Sequence, residues 1–389
     1  MKPLLAVAGL SVRMLAEAAG EAGFPCAALD VFGDADTRRA AASWQPIGRA
    51  QGLAIDPRAF LAALERLAAA GAAGWIAGSG FEPQPELLAA GNRRLPLIGN
   101  PPEAVARVRG PADFFGRLAA LGIPHPETRL TPPPHAAGWL CKDPPTHGGR
   151  GVRPAEATLA GPGIHYQRRL PGVPHSALFL ADGRRARLLG AQRQLARPLA
   201  GRSYVFRGCL GPLPVAPALA RTLAGIADAL AGEFGLRGLN GLDFLLADGQ
   251  VAVLEVNPRP PGCLDLYRGR FPGGLLAAHW AACREGRLPA GEVAAQAIRG
   301  FEVVFARRAG RLDGATARSL AAHSWCHDLP GPGAILARGA PACTVSAAAA
   351  TAREAAGRLA GRRRQVLSLL EEKNAARKSA LPVPPLERQ

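Results

Sequence analysis

Lysine is almost missing from this chain. Only Lys2, Lys142, Lys373 and Lys378 are lysines among 47 basic residues, so the other 43 are arginines, spread through every region. The formal charge of +17 invites a nucleic-acid partner, but aromatic residues are only 5%. With few rings to stack bases and no basic block, the charge reads as an arginine-rich compositional bias that also draws anionic substrates, not as a nucleic-acid surface. Paired cysteines are missing too. Cys26, Cys141, Cys209, Cys263, Cys283, Cys326 and Cys343 include no CxxC and no zinc spacing, which excludes a zinc module and suits reduced thiols in the cytoplasm. No run of 18 apolar residues exists, so no membrane-spanning helix is expected. The opening MKPLLAVAGL is cut by Arg13 and continues into a periodic segment, unlike a signal peptide. Neither GxGxxG nor GxxxxGK[ST] occurs, which removes the dinucleotide fingerprint and the P-loop.

Hydrophobic residues at 48% and charged residues at 20% are an ordinary globular balance, and 389 residues suffice for two or three domains. Strands are expected at Leu4–Ala8, Cys26–Val31, Gly74–Ala77 and Leu97–Gly99. Helices should run from a Ser11 cap to about Ala22 and over Pro57–Ala70. This βαβ alternation implies an open parallel sheet with a crevice at its strand ends, near Gly9–Arg13 and the loop Gly78-Ser79-Gly80. The Gly-Ser-Gly lacks the GxSxG elbow of a nucleophilic serine and reads as a substrate loop. A helix is expected over Pro101–Leu121. Strand-like runs at Gly138–Lys142, His165–Gln167 and Ala177–Ala181 follow the linker Pro132–Pro134. After a helix over Pro217–Phe234, Gly241–Ala247 and Val251–Val256 form a hairpin at Asp248-Gly249. From Arg299 a smaller α+β region begins. Its last helix, Ala347–Asn374, carries Arg362-Arg363-Arg364 as a solvated face, and Leu381–Gln389 is a frayed tail.

Two constellations carry chemistry. A strand delivers Lys142, and six residues later the turn Gly148-Gly149-Arg150-Gly151 lets backbone N–H groups approach an anion. In a chain that otherwise uses arginine, a lone lysine suggests a compact ammonium meeting phosphate. The second lies in Asn240–Pro260. Glu255 and Asn257 are two apart and share a strand face, with Asp243 across the hairpin. Three oxygen donors on otherwise apolar strands suit a hard cation such as Mg²⁺. His147 beside the glycine turn would suit proton traffic but more often plays no such part. His323 and His327 flank Cys326 with no further ligand cluster near, and read as packing or surface residues.

Lys142 with Gly148–Gly151, then Asp243, then Leu254-Glu255-Val256-Asn257-Pro258-Arg259-Pro260 resembles the ATP-grasp superfamily over about Ala104–Leu288. The resemblance implies an α/β ATP-grasp fold with an N-terminal Rossmann-like pre-ATP-grasp domain (1–103), an ATP- and magnesium-binding domain (104–288), a C-terminal α+β region (289–380) and a flexible tail (381–389). Carried over by position, Lys142 and Arg109 bind ATP phosphates and Gly148, Gly149, Arg150 and Gly151 form a lid. Gln167, Arg168, Arg169 and Leu170 are the hinge whose backbone meets adenine. Asp243, Glu255 and Asn257 hold Mg²⁺ (Mn²⁺ as substitute), and Arg259 stabilises the transferring phosphoryl group. Relatives often carry an acid at the second hinge position; Arg168 stands there, which leaves the ribose contact to His175 as a weak candidate. The expected activity is ADP-forming ligation of a carboxylate to an amine by a cytoplasmic enzyme, a homodimer being one assembly the resemblance allows. Carboxylase-like or kinase-like variants and a non-catalytic ATP-binding regulator are the alternatives. Phe32-Gly33-Asp34-Ala35-Asp36-Thr37-Arg38 also resembles ATP-grasp proteins of methylotrophic bacteria linked to one-carbon coenzymes, which suggests glutamate as the carboxylate.

Overall fold

The computed structural model describes residues 2–49, 53–143, 148–155, 161, 163–290 and 297–379, with side chains of the last helix described to residue 371. His147 and the tail Leu381–Gln389 lie outside the described residues.

The chain begins β1 (Leu5–Ala8), α1 (Arg13–Glu21), β2 (Cys26–Asp30), α2 (Ala35–Ala40) and β3 (Ser43–Pro46), followed by a short ribbon of β4 (Gly48–Arg49) and β5 (Ala54–Ile55). Next come α3 (Pro57–Ala69), β6 (Gly74–Ala77) and α4 (Pro85–Arg94). Helix α3 shows why such segments fold. The Asp56 carboxylate accepts the N–H groups of Arg58 and Ala59, Pro57 occupies the first turn, and Phe60, Ala63, Leu64 and Leu67 form one buried stripe. Strands β3-β2-β1-β6 make a wholly parallel sheet. The expected strand Leu97–Gly99 is only a single bridge, Leu97 to Trp75. Ser11 does not cap α1: Val12 holds the cap position, and its N–H donates to the Asp30 carboxylate instead.

The helix expected over Pro101–Leu121 is two, α5 (Pro102–Arg109) and α6 (Pro111–Ala120). Pro111 lacks an N–H and pushes Gly110 into an extended conformation, φ −77° and ψ 110°, which breaks the run. A small antiparallel sheet follows, in the order β7 (Thr128–Arg129), β10 (His165–Arg168), β8 (Trp139–Lys142), β9 (Val152–Pro154). Then come β11 (Val173–Asp182), β12 (Ala186–Leu199), β13 (Arg202–Leu213), α7 (Pro217–Phe234), β14 (Arg237–Ala247), β15 (Gln250–Asn257) and, past a short 3-10 turn at Leu264–Tyr267, α8 (Leu275–Glu285). Strands β12 and β13 have no clean alternation in the sequence and are new here.

The C-terminal part contains β16 (Ile298–Phe305), β17 (Gly310–Arg311), α9 (Gly314–Ala321), β18 (Cys326–His327), β19 (Ile335–Leu336), β20 (Pro341–Ala349) and α10 (Ala352–Ser379). It builds no large sheet of its own. Strands β16, β20 and β18 extend an eight-stranded antiparallel sheet in the order β15-β14-β11-β12-β13-β16-β20-β18. Ala347–Ala349, expected as helix, ends β20, and α10 starts at Ala352. The arginine triplet is not a fully solvated face: Arg363 donates to the buried Glu302, and Arg362 reaches Ser346 O and lies over Trp325. No helix of the described residues is long and apolar enough to cross a membrane.

Cores lie on both faces of the parallel sheet and of the large sheet. One of them joins α1 and α8 to Leu178, Leu180 and Leu239 of the large sheet. At this junction His279 on α8 is fully buried. Its Nδ1 accepts the Leu239 N–H and its Nε2 donates to Ile98 O, each at 2.9 Å, so one neutral imidazole ties the first hundred residues to β14. Burial pushes its pKa down to about 4. The unfolded histidine protonates near pH 6.5, so this contribution to stability is complete above pH 6.5 and drains away as pH falls from there towards 4. Denaturant titrations at pH 7.5, 6 and 5 should show that decline. His279→Leu should flatten it while costing about 1–3 kcal/mol for the orphaned Leu239 N–H.

Candidate active site

The site is built on the hairpin of β14 and β15. Asp243 and Glu255 are direct cross-strand partners, and Gly241 pairs with Asn257. The register slips next to Asp243: Phe244 pairs with Val253, so Leu254 is an extra residue. Val251 and Val253 point into the core under α7. Strict alternation would send Glu255 after them. The bulge resets the parity, so Leu254, Glu255 and Asn257 line the same cleft as Asp243.

Three cations meet this acidic pair. Arg109, the last residue of α5, reaches Glu255 Oε2 with Nη1 at 3.4 Å. Lys142 ends β8, and Arg259 follows β15, donating through Nη2 to Asn257 Oδ1 at 3.3 Å. Asn257 Nδ2 in turn donates to Asp243 Oδ2 at 3.2 Å. Burial pushes Glu255 up, but Arg109, Lys142 and Arg259 outweigh it and hold the carboxyl below its ordinary value. Asp243 moves the other way, raised by burial and then by the Glu255 charge. Two carboxylates facing each other in this way are an electrostatic cost that a divalent cation relieves. With the Asn257 amide oxygen they form a hard oxygen donor set that fits Mg²⁺.

The cleft between the small sheet and the eight-stranded sheet has a volume of about 910 Å³. It brings together Arg109, Lys142, Gly148, Gly149, Gln167–Leu170, Asp243, Glu255, Asn257 and Arg259. Gly148 and Gly149 are docked rather than loose, because Gly148 O accepts the Phe206 N–H of β13 at 2.9 Å. In the Gln167–Leu170 segment, Arg168 N–H already donates to Glu127 O and Arg169 N–H to Gly138 O, each at 2.8 Å.

Three sequence candidates are not brought in. His175 stacks on Phe244, centroids 5.7 Å apart, and belongs to the sheet face opposite its cleft-lining neighbour Ser176. It is no ribose ligand in this arrangement, because alternation along β11 turns it to the α7 side. Arg150 and Gly151 are not among the described residues lining the cleft; burial and then the neighbouring Arg202 charge lower the Arg150 pKa.

Reading the sequence missed Glu82, His165, Ser176, Gln192, Gln194, Tyr204 and Phe206, all of which line the cleft. Most sit on β11–β13, whose mixed pattern hid them. His165 pairs with Lys142 across β8–β10, and burial with the nearby ammonium pushes it down to about 4, a neutral ring at pH 7.

A Cβ on Gly149 (φ +72°) would stand 2.1 Å from Tyr204 O, whereas on Gly148 (φ +63°) the nearest atom is Phe206 Cβ at 3.9 Å. Gly149→Ala should therefore undock the turn from β13. Hydrogen exchange at Phe206 and proteolysis near Gly148 should rise clearly more than in Gly148→Ala, with the melting temperature little changed.

Residues 113–263 match the family model of the ATP-grasp domain. The whole chain also superposes on solved structures. The biotin carboxylase domain of 2-oxoglutarate carboxylase from Hydrogenobacter thermophilus, solved with MgADP, ADP and bicarbonate, matches at TM-score 0.69 and 13% identity, over 92% of this chain and 89% of that one. Carboxyaminoimidazole ribonucleotide synthase from Aspergillus clavatus, complexed with ATP, matches at TM-score 0.69 and 13% identity, over 95% and 99%. N5-carboxyaminoimidazole ribonucleotide synthetase from Thermus thermophilus matches at TM-score 0.63 and 18% identity, over 99% and 100%. The cleft is thus the interior of an ATP-grasp fold, within which residues 113–263 match the ATP-grasp domain.

Proposed function

We propose that this protein is an ADP-forming ligase that activates a carboxylate with ATP and joins it to an amine. The observation that carries the reading is the convergence of Arg109, Lys142 and Arg259 on Glu255 at the floor of the cleft.

ATP lies with its base at the Gln167–Leu170 hinge. Since the amides of Arg168 and Arg169 are engaged, Leu170 supplies the N–H that meets the base edge. The docked Gly148-Gly149 turn covers the phosphates. Asp243, Glu255 and the Asn257 amide oxygen would hold magnesium, which would supply positive charge against the phosphate oxygens. Lys142 places an ammonium, and Arg109 and Arg259 place guanidinium groups, where charge builds on the transferring phosphoryl group. A substrate carboxylate oxygen forms a bond to the γ-phosphorus as the bridging P–O bond breaks, its electrons leaving on ADP. The amine nitrogen then bonds to the acyl carbon, phosphate departs, and the ammonium proton is lost to solvent. Fixed cations do most of this work by positioning and electrostatics.

A second reading has bicarbonate as the carboxylate, as in the Hydrogenobacter thermophilus complex. The methylotroph-like Phe32–Arg38 segment favours an organic acid such as glutamate, in a one-carbon coenzyme context.

ATP turnover screened against amino acids plus amines, and against bicarbonate, should release ADP and phosphate. Hydroxylamine should trap an acyl hydroxamate from an organic acid; AMP and pyrophosphate would sink the acyl-phosphate scheme. Glu255→Gln and Asn257→Ala should each lower turnover at least about 100-fold with the fold intact. Lys142→Ala should raise the ATP requirement, and Lys142→Arg should restore it only in part, since a planar fork does not replace a point charge.

A further inference from the structure

Resting on the ATP reading, we propose that Glu82, from the N-terminal parallel-sheet layer, is a positioning residue that holds Arg259 ready for the γ-phosphate.

Glu82 follows the Gly78-Ser79-Gly80 loop and is 7% exposed. Its two oxygens are divided between two structures. Oε2 accepts the Gly80 N–H at 2.7 Å, and Oε1 accepts Arg259 Nε across 177 residues of sequence. Gly80 is itself fixed: its φ is +114°, and a Cβ there would stand 2.9 Å from Leu10 Cγ. The carboxylate is therefore anchored at one end before it meets the arginine. Glu82 also lines both the cleft and the small cavity behind it, beside Phe81, Asn100 and His279, so it is the residue where the first layer reaches the cleft.

From Arg259 the chain of bonds continues. Nη1 donates to Pro260 O and Nη2 to Asn257 Oδ1, both at 3.3 Å, and Asn257 Nδ2 donates to Asp243. Gln194, on β12 two strands away, also bonds the Asp243 carboxylate. A fixed loop is thus linked through one guanidinium to the acidic pair. Glu82 takes the Nε side in a charge-assisted bond and leaves the Nη end, with its longer contacts, to an incoming anion. An arginine side chain gives up rotamer freedom when it is fixed. Glu82 meets that cost before the nucleotide arrives, which is how preorganisation raises affinity for one particular group of a ligand.

The test compares binding of MgADP with that of a non-hydrolysable Mg-ATP analogue by calorimetry, in the full chain and in Glu82→Gln, Arg259→Ala and the double variant. The ratio of the two dissociation constants isolates what the γ-phosphate adds, and general destabilisation does not move it. Arg259→Ala should reduce that ratio about tenfold and Glu82→Gln about fivefold. The double variant should fall no further than Arg259→Ala alone. Should Glu82→Gln fold poorly, Glu82→Asp keeps the charge but is one methylene short of spanning Gly80 and Arg259, and should lose part of the ratio. A wild-type or larger ratio in the Glu82 variants overturns the proposal, because the carboxylate would then be idle or a competitor. An unchanged ratio in Arg259→Ala overturns it too, since nothing would remain to position. Failure of the wild-type chain to bind either nucleotide is a separate result that removes the ATP reading and this one with it.

Discussion

One buried guanidinium holds the layers of this protein together. Arg13, on the first helix, is 1% exposed, and its nitrogens meet Glu17 on the same helix, Asp265 just past the β14–β15 hairpin, and Asp328 beside β18, at 2.8 to 2.9 Å. Asp36 of α2 stands 3.7 Å away and also accepts the N–H groups of Asp328 and Leu329. The parallel sheet, the segment leaving the site hairpin and the C-terminal strands are thus fastened at one point. Removing one partner from such a buried network costs about 3–5 kcal/mol, a large part of the roughly 5–15 kcal/mol that a folded chain has.

That fastening matters to the site because the cleft is assembled from separate layers. Arg109 arrives from α5, Lys142 from the small sheet, Arg259 from the end of β15, and Glu82 from the parallel-sheet layer. Apart from Arg259, which follows Glu255 by four residues, none of these groups can set its distance from Glu255 by local geometry alone. Neutral links do the same job on the other side: His279 joins Ile98 to Leu239, and Asn100 donates to Asn240 and accepts the Arg237 N–H, each at 2.7 Å. β14, which carries Asp243, is thereby pinned at several points to the N-terminal layer.

The charge pattern follows from this construction. Glu255 sits among three cations and stays ionised, while Asp243 across the strand is lifted by burial and by Glu255 itself. Under the proposed ligase reading, one firmly charged and one reluctant carboxylate would be relieved by a divalent cation arriving with its phosphate ligands.

What the amino-acid sequence determined by itself is local. Alternating apolar residues and Asp248-Gly249 specified the hairpin, and Asp56-Pro57 specified the start of α3, because each depends on neighbours a few residues apart. The tertiary structure decided the rest. The bulge at Leu254 turns Glu255 into the cleft, although the spacing of Glu255 and Asn257 says only that they share a face. His175 pointed equally well to either side of its strand until α7 covered one of them. Arg13, which in the sequence merely interrupts an apolar run, and Glu82, which carries no motif, owe their roles to partners as much as 315 and 177 residues away. Pairings at that separation are set by how layers pack, and no short-range pattern in the chain encodes them.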